Sequence, residues 1–135
     1  MVKYITNRKG KEEVLNGFEP LIEKWFNSKF DDLTPPQSMA VPLIHNKENV
    51  LVSSPTGSGK TLTAFLSIIN NFLRLHKENK FEDGVHAIYV SPLKALANDI
   101  DRNLRQPLDE MMTLAEELEL DVPEIKVAVR SGDTS

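Results

Sequence analysis

The octapeptide Ser54-Pro55-Thr56-Gly57-Ser58-Gly59-Lys60-Thr61 narrows the folds open to this chain more than any other segment. The apolar run Val50-Leu51-Val52 before it reads as a buried strand, and a long helical pattern follows it. A glycine-rich string between a strand and a helix predicts a phosphate-binding loop. Gly57 and Gly59 let the backbone curl, so that several N–H groups share one concavity suited to anionic oxygens. A helix starting near Lys60 adds the partial positive charge of its N-terminus. Thr56, Gly57, Ser58 and Gly59 are expected to line this cradle. Lys60 is expected to reach the β- and γ-phosphates of a nucleotide, and the Thr61 hydroxyl to complete the coordination of Mg2+. Lys60 and Thr61 are thus the candidates for catalysis, with a nucleotide and Mg2+ as cofactors. A plain small-residue turn accounts for the glycines but not for Lys60-Thr61 in register behind them.

The rest of the composition sets bounds. A chain of 135 residues is long enough for one domain that buries about 65–70% of its extended surface. Cysteine is absent, which excludes disulfides and Cys-ligated zinc. His45, His76 and His86 show no close ligand spacing, so each reads as satisfied or solvated. No apolar run approaches the ~20 residues that cross a bilayer, and no signal-like stretch follows Met1. These features predict a cytoplasmic protein with no membrane partner. Sixteen basic against twenty acidic residues give a net charge of −4, so any contact with nucleic acid must be local.

Along the chain, residues 1–10 are polar and aperiodic and read as a loose arm. Val14, Leu15, Phe18, Leu21, Ile22, Trp25 and Phe26 recur at helical spacing, with Pro20 expected to kink or split the helix. Trp25 lies on the apolar stripe and reads as a packing residue. Leu33-Thr34-Pro35-Pro36-Gln37 is a turn that opens a short helix through Met39, Ala40, Leu43 and Ile44. Leu62, Phe65, Leu66, Ile69, Phe72 and Leu73 make a strong helical face ending near His76. Ile100, Leu104, Leu108, Met111 and Ala115, with Leu96 before them, step along another helix bent near Pro107. Glu116, Glu117, Glu119 and Asp121 read as its solvated end. Segments 85–90 and 125–129 read as a second and a third strand. Strands alternating with helices predict parallel crossovers and an α/β fold.

The loop departs from the common GxxxxGK[ST] pattern by carrying Ser54 where that pattern has glycine. In this it resembles the loops of superfamily 2 helicases, which tolerate serine there and carry a glycine at the place of Gly57. Leu33 to Gln37 resembles the Q motif of that family, and Ser91-Pro92-Leu93-Lys94-Ala95-Leu96 its motif Ia. Val129-Arg130-Ser131-Gly132-Asp133-Thr134 resembles its VRxGDT stretch. With the SPLKAL-ND and RNLRxPL wording, the chain is most similar to the large helicase-related (Lhr) group. The resemblance implies a first RecA-like domain: an incomplete three-layer P-loop NTPase with a parallel sheet and N-terminal helices. An arm and helix over 1–27 would precede a partial ATP-binding domain over 28–135. It implies that the nucleotide is ATP and that Gln37 offers a donor and an acceptor to the adenine edge. It also implies that Pro92, Lys94, Arg130, Gly132, Asp133 and Thr134 contact single-stranded or partly duplex nucleic acid, DNA favoured over RNA, in the setting of DNA repair.

Hydrolysis in that family also requires a Walker B carboxylate pair and an arginine from a second domain. No apolar strand after Thr61 ends in Asp-Glu-x-His, and Asp99, Asp101 and Asp109-Glu110 lie in a helical pattern. The expectation is therefore nucleotide binding with negligible turnover, the remainder of the helicase chain being the missing partner. Segment 49–53 would then have a bare edge on either side, which favours poor solubility, oligomers or a swapped partner. Two other readings stand beside this one: a P-loop small-molecule kinase, and a stand-alone nucleotide-sensing interaction module.

Overall fold

Proline sets where the N-terminal helices start. In the computed structural model, which describes residues 1–92, 100–132 and 134–135, α1 (Lys11–Leu15) stops short of Pro20 and α2 (Pro20–Lys29) begins on it. Proline can open a helix, where its missing N–H is no loss, whereas inside one it removes a hydrogen bond and crowds the preceding turn. The amphipathic pattern is thus split in two, as expected. α3 (Pro35–His45) opens the same way, behind Thr34 as N-cap. Its Pro42 has no N–H to offer the Ser38 carbonyl one turn back. That carbonyl instead accepts, at a long 3.5 Å, from the Lys9 N–H of the N-terminal arm.

α4 (Lys60–Lys77) starts and ends where its apolar periodicity predicts. A π-helical turn, Asp101–Arg105, leads directly into α5 (Gln106–Glu117). The irregularity expected at Pro107 therefore falls one turn earlier, and Pro107 sits comfortably in the first turn of α5. Leu96, the expected start of this helix, lies outside the described residues, as do Lys94, Asp99 and Asp133.

α4 is the spine of the packing. Leu62, Leu66, Ile69 and Leu73 meet Ile22, Phe26 and Val41 from the N-terminal helices and Leu108, Met111 and Ala115 from α5 in one cluster. α3 lies along α4, α2 against α5, and α1 against α3. Ile22 and Met111 are wholly buried, and each such side chain contributes about 1.5–3 kcal/mol by transfer from water. Trp25 packs as expected, yet it also carries a polar bond: its Nε1 donates to Glu110 Oε2 at 2.8 Å, tying α2 to α5. Lys29 and Gln106 donate to the other oxygen of Glu110, at 2.8 and 3.2 Å. Partial burial pushes the Glu110 carboxyl up, but these hydrogen bonds and the Lys29 charge outweigh it and hold it below its ordinary value.

The expected parallel sheet is not formed: no strand occurs among the described residues. Segment 49–53 runs without regular structure, Leu51 being 94% exposed. Residues 85–90 are exposed throughout, with Val85, Ile88 and Val90 at 80% or more. In segment 125–129 a trace of strand-like alternation survives, Ile125 and Val127 leaning on the core while Lys126 and Ala128 face out. The reason is the one that distinguishes the two kinds of element. A helix satisfies its N–H and C=O groups internally, whereas a strand needs a neighbour for each.

Candidate nucleotide-binding site

The loop takes the backbone conformations that its glycines permit. Gly57 and Gly59 both lie in the left-handed region, with φ of +81° and +83°. Gly59 is the N-cap of α4, so the amides of the first turn open toward the loop. Space around Gly57 is open, with nothing within 4 Å of where a Cβ would stand. Around Gly59 it is closed: a Cβ would come within 2.8 Å of Gln37 Nε2 and 3.4 Å of Thr34 Oγ1.

Gln37 is thereby placed against the phosphate loop from a different element. Its side chain is held from behind, because Oε1 accepts the Thr34 N–H at 2.9 Å in a capping-box arrangement. The acceptor half of the amide is consumed by the cap, and the donor half faces the loop. The reciprocal contact, Gln37 N–H toward Thr34 Oγ1, belongs to the same cap but falls short of a hydrogen bond, leaving that hydroxyl oxygen buried and unpartnered. The sequence reading placed Thr34 in the turn that opens this helix but not as its N-cap, although T-x-x-Q is capping-box spacing.

Within the loop, Lys60 Nζ donates to the Ser54 carbonyl at 2.6 Å, and the Ser54 and Ser58 hydroxyls are 2.6 Å apart. Thr63 Oγ1 donates to the Gly59 carbonyl at 2.6 Å, hooking the first turn of α4 to its cap. Lys60 is exposed and Thr61 half-buried. The donor set is an ammonium, amides at a helix start and a threonine hydroxyl, which fits the phosphates of a nucleotide. Among the described residues no group of three or more His, Asp or Glu could hold a metal ion.

Of the nucleic-acid candidates, Pro92, Arg130, Gly132 and Thr134 lie exposed on irregular backbone. Thr134 closes a tight turn, its Oγ1 accepting the Ser131 N–H at 2.8 Å and its own N–H donating to the Ser131 carbonyl. Lys94 and Asp133 fall outside the described residues. The histidines divide. His76 pairs with Asp121 at 3.1 Å and His86 Nε2 meets the Glu82 carbonyl, as satisfied side chains should. His45 does not follow that expectation: its ring stands edge-on to Phe18, and its Nε2 is buried with no partner. Burial, with the nearby Arg74 charge, holds it neutral below the usual histidine range.

Residues 34–129, from the N-cap beside Gln37 to the end of the third extended segment, match the model of the DEAD/DEAH box helicases. The chain belongs to that family. It is 51% identical over 135 residues to ATP-dependent helicase Lhr-Core protein 2 of Thermococcus barophilus, spanning 100% of this chain and 16% of that protein. ATP-dependent helicase Lhr-Core of Methanocaldococcus jannaschii is 48% identical over 134 residues, 99% of this chain and 16% of its own length. The solved structure of helicase Lhr from Mycobacterium smegmatis, bound to ssDNA and AMP-PNP, matches with a TM-score of 0.78 at 45% identity. That match spans 90% of this chain and 15% of the solved one. The chain covers about a sixth of the length of these helicases. Membership in this family sets the small-molecule kinase reading aside. No described helix is long and apolar enough to cross a membrane.

Proposed function

We propose that this chain is the ATP-binding part of an ATP-dependent helicase of the Lhr kind, acting on single-stranded or partly duplex nucleic acid, with DNA favoured. The observation that carries this reading is the loop itself: two left-handed glycines, a helix start, and Lys60 folded across the opening. Thr56, Gly57, Ser58 and Gly59 cradle the phosphates, Lys60 neutralises the β- and γ-oxygens, and Thr61 takes one coordination position of Mg2+. Gln37 closes the nucleotide end of the site, its Nε2 offered to the base. In the helicase, segments 49–53, 85–90 and 125–129 pair as a parallel RecA-like sheet. Pro92, Lys94, Arg130, Gly132, Asp133 and Thr134 then sit at strand ends, where open α/β sheets bind ligands. Contacts from such loops hold a strand by its backbone without reading its bases. Phosphoryl transfer is accelerated chiefly by charges and dipoles fixed around the γ-phosphate. Hydrolysis further depends on a carboxylate pair and an arginine other than these residues, in a soluble, cytoplasmic enzyme.

Calorimetric titration with ATP–Mg2+ tests the reading. The chain is expected to bind, and Lys60→Ala to abolish detectable heat. Equal titration curves for the two proteins would refute it.

A further inference from the structure

We propose that Ser54 is a positioning residue of the phosphate loop, bracing it through both its hydroxyl and its carbonyl. This rests on the phosphate-binding reading and deepens it. A glycine at this position, as in the commoner loop pattern, has no hydroxyl to give. Here the Ser54 hydroxyl meets that of Ser58 across the bend at 2.6 Å, at the short end of O–H···O bonds and partly buried. The Ser54 carbonyl receives the Lys60 ammonium at 2.6 Å. One residue thus ties down the middle of the loop and the cation at its far end.

The brace matters because of what lies between its anchor points. Gly57 and Gly59 are the residues that lose most conformational freedom on ordering, and Gly57 is exposed, with open space where a Cβ would stand. Without a cross-link, that freedom is lost only when phosphate arrives, and affinity falls accordingly. The two bonds also spare the groups the phosphates need. They use two hydroxyls, one carbonyl and one of the three ammonium protons, and no loop N–H. Lys60 keeps two donors for a nucleotide while its position is fixed by the third.

The test is calorimetric titration of the chain and its variants with ATP–Mg2+. Loss of one neutral hydrogen bond predicts about fivefold weaker binding for Ser54→Ala. Ser58→Ala, which removes the same bond from the other side, is expected to weaken binding equally. The double variant is expected to lose no more than either single one, because the two changes remove one interaction. Ser54→Thr restores the hydroxyl and is expected to bind as the parent does, with thermal midpoints alike throughout. Unchanged affinity for Ser54→Ala, losses that add in the double variant, or failure of Ser54→Thr to rescue would each overturn the brace. Lys60→Ala separates the two levels. If it abolishes binding while Ser54→Ala does nothing, the brace fails and the phosphate loop stands; if it changes nothing, the site itself is wrong.

Discussion

The helical body and the extended segments carry similar side chains and end in opposite environments. Ile22 in α2 is wholly buried, while Ile88 in segment 85–90 is 80% exposed. Leu66 in α4 is 2% exposed, and Leu51, just ahead of the phosphate loop, 94%. Side-chain hydrophobicity does not separate them. Backbone accounting does: α4 closes its own hydrogen bonds over eighteen residues and needs neighbours only for its apolar face. The segments need neighbours for both. The phosphate loop sits on the boundary, with an unpaired segment on one side and the core helix α4 on the other. Its shape in this chain is therefore owed to α4, to the α3 cap and to its own internal bonds.

The difference can be broken most forcefully from the buried side. Phe26→Ala is expected to destabilise by about 3–5 kcal/mol in urea unfolding, as for large core deletions, while Ile88→Ala changes stability by less than ~0.5 kcal/mol. Equal losses would mean that segment 85–90 is packed after all. Next in size is Gly59→Ala, which forces a Cβ to φ +83° and onto Gln37 Nε2, at a cost of about 1–3 kcal/mol. Gly57→Ala meets only the conformational part of that cost, so it should be the milder of the two by thermal unfolding.

A smaller effect tests how the helices hold one another. Glu110, with its side chain 29% exposed, is held below its ordinary pKa of 4.5, so its contribution is present at neutral pH and above. It is lost as pH falls below about 4.5 toward the lower folded value. Glu110→Gln is expected to remove about 1 kcal/mol at pH 7, discounted for solvent exposure, and to flatten the acid limb of the stability–pH curve. The smallest is His45. Its folded pKa is lowered, so its contribution is complete above 6.5 and declines as pH falls through and below that value. His45→Phe should flatten the curve between pH 7 and 5 without altering the limb set by Glu110.

Much of the helical body was legible in the residues. Pro20 split its helix, Pro35 opened another, and the face from Leu62 to Leu73 placed α4 to within a residue or two. Local rules govern those features, and local rules are written in sequence. The sheet was not legible in the same sense: strand propensity in 85–90 is real, but pairing is a property of neighbours. In the site, the glycines, Lys60 and Gln37 were visible as a motif. The Ser54–Ser58 bond and the cap that turns Gln37 Nε2 toward Gly59 were not, because each depends on a bend in three dimensions. Trp25 and Glu110 stand 85 positions apart, a distance no periodicity reports.

On the proposed reading, a phosphate loop seated on α4 takes nucleotide even where the neighbouring segments lack strand partners. Amide NMR during titration with ADP–Mg2+ reaches it directly. Saturable shifts are expected at Gly57, Ser58, Gly59, Lys60 and Thr61, with residues 85–90 unmoved. Shifts absent from the loop, or spread evenly over the chain, would contradict it.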